Sequence, residues 1–407
     1  MKGQGRRGDA GGATGGDAAF LAVVWSITLT GILANTLVGP SLPDIREDLA
    51  IGAGAAGAVV AAASLPGFAV APVLGVLADR HGRRRVLVPC LVTFGVAGLA
   101  AALAPSFGWL FAARLAQGFG SAGLVNLAIV LLGDRYEGER RVREIGRNSA
   151  VLTTGLAVLP FAGGALAALG GWRLAFVPYG AALAVAAFAA RVLPDDRPRT
   201  VVPLRVQFRD ARPYLADRRV AAMLAAGFGA FLLLFGLALT ALPLDLEERF
   251  GLGPTARGAV LGLPAVATVV TSLRLHGMRA RNGTWPLVFA GFGGFAVGFG
   301  AVGLTSSVWL VLVAAIVWGV GEAMLIVPLQ AYATELAPTA QRGVMVAAWV
   351  GAARLGQATG PILAGALVAA VGTRATFVIG GAVAAGLAVA GAAARRALVA
   401  GAASVRD

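Results

Sequence analysis

The stretch Gly75-Val76-Leu77-Ala78-Asp79-Arg80-His81-Gly82-Arg83-Arg84-Arg85 sets arginines, one acid and a glycine turn between two long apolar runs. Upstream, no charged residue occurs between Asp48 and Asp79; downstream, none occurs between Arg85 and Arg114. A helix needs about 20 apolar residues to cross a hydrocarbon core of ~30 Å. The upstream run therefore predicts one crossing. The downstream run breaks at Pro105-Ser106-Phe107-Gly108 and predicts two.

The same pattern fills the chain. Asp17 to Asp44, Arg147 to Arg173 and Arg219 to Asp245 each enclose a single charge-free crossing, and Asn282 to Gly321 breaks near Thr305-Ser306-Ser307. Twelve membrane helices are predicted, near 18–42, 52–77, 86–104, 108–133, 148–170, 173–193, 219–243, 256–273, 284–304, 308–334, 343–370 and 374–394. Composition agrees: 58% of the 407 residues are hydrophobic and 13% charged, against roughly 25% charged in soluble domains. The 58 glycines lie inside apolar runs, where small residues let helices approach closely in lipid. Arg6 and Arg7 precede the first span, but its apolar length exceeds a signal-peptide core, so it is expected to be retained.

Every basic residue except Lys2 is Arg, which excludes a Gly-Lys phosphate loop. Gly118, Gly120 and Gly123 spell GxGxxG, but within a span and with no strand before them. The single Cys90 and the distant His81 and His276 support neither a disulfide framework nor a metal site. No cofactor, catalytic residue or nucleic-acid partner is expected. Assigning alternate loops to two sides puts 27 of the 34 basic residues on one side and 5 on the other, with Arg114 and Arg354 inside spans. Arginine-rich loops favour the cytoplasm, so a multi-pass cell-membrane protein with both termini cytoplasmic is expected. On that side the Asn282-Gly283-Thr284 triplet is inert as a glycosylation site.

An offset of 201 residues repeats through the chain. It joins Asp44/Asp245, Glu47/Glu248, Gly52/Gly253, Gly57/Gly258 and Val59/Val260, then Gly155/Gly356, Pro160/Pro361, Gly164/Gly365, Arg173/Arg374 and Phe176/Phe377. Asp134/Glu335 and Arg141/Arg342 repeat charges of one sign. The expected architecture is an all-α protein of two parallel six-helix bundles, 1–192 and 219–407, around a polar cytoplasmic linker 193–218. Six spans are even, so the halves run the same way, related by an axis along the membrane normal.

Placed between spans 2 and 3 of twelve, Gly75 to Arg85 resembles the loop signature of the major facilitator superfamily. Gly75 allows close helix approach, Gly82 a tight turn, and Asp79 pairs with Arg83 or faces a helix N-terminus. The resemblance implies a conformational latch of Gly75, Asp79, Gly82 and Arg83 meeting span 11, with Asp134, Arg141, Glu335 and Arg342 at the same side. Arg84 and Arg85 read as orientation charges. In the second half Ala280 replaces the acid and only Arg281 and Gly283 keep the outline. Arg114-Leu115-Ala116-Gln117-Gly118-Phe119-Gly120 looks like the family's second motif, whose Arg is linked to proton transfer; snorkelling to the membrane edge is the other reading. Gly155 to Gly164 resembles the span 5 motif of antiporters, with Leu159 where a Gly is usual, while Gly360-Pro361 is intact. Gly155, Pro160, Gly164, Gly360 and Pro361 are candidate sites of bending and close packing.

Glu322 is the one acid placed deep in a span. It and Arg354 each lie roughly 17–18 Å from the cytoplasmic side at 1.5 Å per residue. Two readings stand: an ion pair opened by proton or substrate, or a static structural pair. Proton coupling is assigned to Glu322, Arg354 and Arg114. The resemblance puts spans 1, 4, 7 and 10 around a cavity, which makes Trp25, Asn35, Asn126, Phe231, Phe235 and Trp318 candidate substrate contacts, with Gln357 beside Arg354. Span 1 carries no mid-span acid, so a neutral or weakly charged lipophilic compound is expected. The pattern is most similar to twelve-span drug:proton antiporters, which implies a monomer working with a small-molecule substrate, protons and membrane lipids. Rival expectations are a proton-coupled sugar or metabolite importer and a non-transporting receptor or lipid scaffold.

Overall fold

The computed structural model describes residues 15–195, 209, 212–214, 216–336 and 342–393. Every regular element among them is helical. The spans are α1 (Gly16–Asp48), α2 (Ala53–His81), α3 (Arg83–Ala102), α4 (Phe107–Arg135), α5 (Gly138–Leu174), α6 (Val177–Val192), α7 (Arg218–Phe250), α8 (Pro254–Asn282), α9 (Thr284–Leu304) and α10 (Val308–Glu335). A last helix, Arg342–Ala393, breaks at Gly372 into α11 and α12. Ten stretches are long and apolar enough to cross a membrane; the shorter α6 and the division at Gly372 bring the spans to twelve among the described residues.

α5 starts about ten residues before the expected position, and α2 and α8 end beyond theirs. Hydropathy marks the apolar window, whereas Arg and Glu continue a helix readily once it leaves that window. Pro160 and Pro361 do not break their helices: non-helical backbone falls instead at Gly170–Gly171 and at Gly372, the turns into α6 and α12. Both prolines lie inside helices, and their carbonyls are where the neighbouring glycines pack closely. Most of the linker 193–218 lies outside the described residues.

The repeat is visible in the backbone. Left-handed or other positive φ occurs at Gly82 and Gly283, at Gly171 and Gly372, and at Ala50 and Gly251, each pair 201 apart. The first half packs two apolar clusters, one around Phe94, Trp172, Phe176 and Tyr179 and one around Leu87, Leu91 and Leu127, while the cluster of Phe292, Phe295, Phe299 and Trp318 in the second half also takes in Leu42, Ala53, Ala56 and Val60 of the first.

The halves meet along two seams, α2 with α11 and α5 with α8. At the α5–α8 seam a Cβ on Gly258 would strike the Pro160 carbonyl and one on Gly164 the Pro254 carbonyl; at the α2–α11 seam Gly57 meets the Pro361 carbonyl and Gly365 the Ala53 carbonyl, the last at 2.7 Å. These contacts lie away from the arginine-rich loops. Toward those loops, Gly75, Gly146, Gly277, Gly343 and Gly351 have nothing within 4 Å of where a Cβ would sit. The close backbone contacts between the halves thus lie at the end away from the arginine-rich loops.

Candidate functional site

At the far end Arg257, at the start of α8 and 1% exposed, donates from Nη2 to both Asp44 oxygens at 3.0 and 2.8 Å across the seam. The Thr255 hydroxyl donates to the Gly164 carbonyl at 3.5 Å beside it. This ion pair between halves is absent from the sequence reading because its partners are 213 residues apart and Arg257 reads as a loop charge.

At the basic end the latch residues pair within their own halves. Arg83 lies 2.6 Å from Asp79 and 3.3 Å from Asp134, and Gly75 touches nothing that a Cβ would meet. Among the described residues these ion pairs of Arg83 stay within the first half. Arg141 packs over Gly133 within the first half. In the second half Glu335 pairs with Arg279 at 2.5 Å, and Arg279 also donates to the Thr284 hydroxyl at 3.0 Å. Thr284 is the repeat position of Arg83, so the degraded loop recruits an arginine from the preceding turn. The Arg342 side chain lies outside the described residues. Arg85, read as an orientation charge, donates twice to Asp195 at 3.0 Å and holds that carboxyl below the usual carboxylate range. A further clasp escaped the sequence reading: Asp17 receives Arg135, Arg140 and the Tyr136 hydroxyl, tying α1 to the end of α4 and the start of α5.

Arg114 is fully buried and does not snorkel. It donates to the Ala34 carbonyl at 2.7 Å, the Val59 carbonyl at 3.3 Å and Gln117 at 2.7 Å, with its guanidinium 5.9 Å from the Phe176 ring centroid. Three acceptors from α1, α2 and α4 offset the cost of the charge, and the side chain rivets those helices together. No acid is bonded to it among the described residues.

Glu322 and Arg354 do not pair. Glu322 faces the Thr268 side chain of α8, whereas Arg354 presses on Gly67 of α2, whose Cβ would lie 3.2 Å from Arg354 Cδ. Thr268 and Gly67 are repeat positions, so the acid and the base share a depth but face different helices, α8 and α2. Depth follows from counting residues; the face of the helix does not. Thr268 in turn donates to the Gly319 carbonyl at 2.9 Å, fixing α8 against α10 beside Glu322.

The candidate substrate contacts divide. Trp318 is wholly buried and stacks on Phe299 at 5.1 Å, so it belongs to the core of the second half and not to a binding surface. Phe235 is almost buried, but Phe231 is half-buried and forms an aromatic wall with Phe235 at 6.2 Å and Trp349 at 6.4 Å. Trp349, on α11, was not singled out by sequence. Gln357 accepts from Arg354 at 3.2 Å. On α1, Trp25 Nε1 and Asn35 Oδ1 are buried, as is Trp318 Nε1 on α10, with no hydrogen-bond partner among the described residues. Asn126 on α4 is exposed. Gly155 and Gly360 pack their helices within a half, on Ile32 of α1 and the Leu232 carbonyl of α7. Between Phe228 and Ala241 the α7 backbone adjusts through a π segment, Leu234–Ala241, where Gly236 approaches the Gly360 carbonyl.

The family model described as Major Facilitator Superfamily matches residues 24–281 and 224–404. Among curated proteins, the bacillibactin exporter of Bacillus subtilis is 30% identical over 161 residues, 38% of this chain and 39% of that protein. The puromycin resistance protein of Streptomyces alboniger is 32% identical over 178 residues, 44% of this chain and 35% of that protein. The cephamycin export protein of Amycolatopsis lactamdurans is 30% identical over 261 residues, 63% and 49% respectively. The matches span less than half the length of these relatives. The fold is that of a bacterial homolog to the human lysosomal transporter Spinster, solved inward-facing and unoccupied, with TM-score 0.76, 17% identity and coverage of 93% of this chain and 98% of that one. Twelve helices, a 201-residue repeat expressed as matched seams, and this family match agree: the chain belongs to the Major Facilitator Superfamily of membrane transporters.

Proposed function

We propose that this secondary transporter exports a hydrophobic small molecule by proton antiport, with Glu322 as the proton site. The observation that carries the proposal is the setting of Glu322, a carboxyl deep in a span that faces a Thr hydroxyl and forms no ion pair among the described residues. A membrane carboxyl without a fixed counter-charge gains and loses a proton as its access to water changes. In this reading, rocking of the halves exposes Glu322 to one face of the membrane at a time.

Export and drug-like substrates draw support from the relatives, named for siderophore export and antibiotic resistance or export. The arginine-rich end is the cytoplasmic end in this reading, with both termini there. The two halves, 1–192 and 219–407, rock about their shared axis. A single proton moving down about 100 mV supplies roughly 2.3 kcal/mol, enough for a substrate gradient of about fiftyfold.

Growth of an efflux-deficient bacterial host on a panel of toxic lipophilic compounds tests the reading. Expression of the chain should raise tolerance to a subset, and Glu322→Gln should abolish that gain with the protein still present in the membrane. Unchanged tolerance across the panel, or full protection by Glu322→Gln, contradicts it.

A further inference from the structure

We propose that the basic end of α8 holds the headgroup of an anionic phospholipid, with Arg274 and Arg281 on its phosphate and the lipid chains along the uncovered apolar stripe of the same helix.

α8 packs on α5 and α10. Gly258 and Gly262 face the Pro160 and Ala157 carbonyls of α5, Gly319 of α10 seats on Pro264, and Leu275 is buried with Ala323 of α10 and Leu287 of α9. One stripe stays bare along the helix. Ala259, Val266, Val270, Arg274, Gly277 and Arg281 follow one another at spacings of three, four or seven residues, which puts them on a single face. All six are exposed, Val266 by 52% and Val270 by 48%, and Leu273 flanks them at 81%. A bare apolar face on a spanning helix is solvated by lipid chains.

Depth sets the chemistry at the end of that stripe. Arg274 lies 20 residues after Pro254, where α8 begins, and Arg281 lies 27 after it. At 1.5 Å per residue these are about 30 and 40 Å. The hydrocarbon core is ~30 Å thick and each headgroup layer adds roughly 5–7 Å, so Arg274 stands at the inner edge of that layer and Arg281 at its outer edge. Side chains on a helix tilt toward its start, which leans Arg281 back into the layer. Between the two, Gly277 has nothing within 4 Å of where a Cβ would sit, so a headgroup meets open backbone there.

The two guanidiniums are unspent. Arg279 goes to Glu335 and the Thr284 hydroxyl, whereas neither Arg274 nor Arg281 makes an ion pair or hydrogen bond among the described residues. Guanidinium groups grip phosphate oxygens in two-pronged fashion. A zwitterionic headgroup carries its own cation and gains less from them. The arrangement occurs once: 201 residues earlier, α2 has Val73 and Val76 in place of Arg274 and Gly277 and keeps only Arg80.

The test places a benzophenone amino acid at Leu273 of the full chain, in vesicles of equal phosphatidylglycerol and phosphatidylcholine, and reads the lipid attached on illumination by mass spectrometry. Phosphatidylglycerol should exceed phosphatidylcholine by about fivefold or more, the factor expected of one basic residue near an anionic surface. Arg274→Gln and Arg281→Gln should each lower that excess and together bring it to about one, while Arg84→Gln, at the basic end of the first half, leaves it unchanged. Should the double variant fail to insert, the single variants decide. Equal attachment of both lipids to the otherwise wild-type chain, an excess unmoved by either glutamine, or attachment at Leu273 to a second copy of the chain would overturn the proposal. The readout involves no transported compound, so it stands whether or not Glu322 couples transport to protons.

Discussion

Gly258 of α8 packs against the Pro160 carbonyl of α5 with no space for a side chain, and 201 residues earlier Gly57 of α2 packs in the same way on the Pro361 carbonyl of α11. One sequence motif thus builds the close contacts of both seams between the halves, at the far end. Introducing a methyl at either glycine forces backbone apart, a change that costs about 1–3 kcal/mol. Gly57→Ala and Gly258→Ala should each depopulate the state with the far end closed. Spin-label distances across the far end should lengthen in both variants; distributions identical to wild type would contradict this.

The Asp44–Arg257 pair ties the same end together through charge. Asp44→Asn leaves Arg257, 1% exposed, with two further nitrogens already unbonded. Loss of a partner from a buried pair costs about 3–5 kcal/mol; the partial exposure of Asp44 puts the expected cost at the lower end or below it. A cysteine placed at Thr255 should become more reactive toward an impermeant maleimide in Asp44→Asn than in the otherwise wild-type chain.

Ala50 has a left-handed backbone, φ 49°, where the second half has Gly251 at φ 60°. The conformation costs a non-glycine residue about 1–2 kcal/mol, and glycine returns part of that gain through the unfolded chain. Ala50→Gly should therefore stabilise the protein by about 0.5–1 kcal/mol, read as a higher midpoint of thermal unfolding in detergent. A lower midpoint would show that the Ala50 methyl makes a contact worth more than the strain.

Much of this architecture is legible in the sequence because it is one-dimensional information. Apolar run length gives the twelve spans, and an offset of 201 residues gives the matched seams through Gly57, Gly258, Pro160 and Pro361. What the sequence withholds is azimuth. Glu322 and Arg354 share a depth, yet one faces α8 and the other α2. Trp318 reads equally well as cavity or core until Phe299 is seen stacked on it. Arg257 and Arg279 look like loop charges; their partners Asp44 and Glu335 become visible only when helices distant in sequence come together.

Arg114 holds three helices through carbonyl acceptors that a lysine's point charge reaches less completely. Arg114→Lys should lower stability by about 1–3 kcal/mol, the cost of leaving buried polar groups short of partners. The transport that remains should keep the wild-type dependence on pH. A displaced pH profile at unchanged stability would instead assign Arg114 a direct part in proton transfer.

The central claim, that Glu322 couples substrate movement to protons, is tested most directly in inside-out vesicles by uptake of a compound to which the chain confers tolerance. An imposed pH gradient, acid inside, should drive accumulation by the wild type. With Glu322→Gln, folded and inserted to the same level, accumulation should fall to that of empty vesicles while exchange of labelled for unlabelled compound at equal pH persists. Gradient-driven accumulation by Glu322→Gln at the wild-type rate would contradict the account.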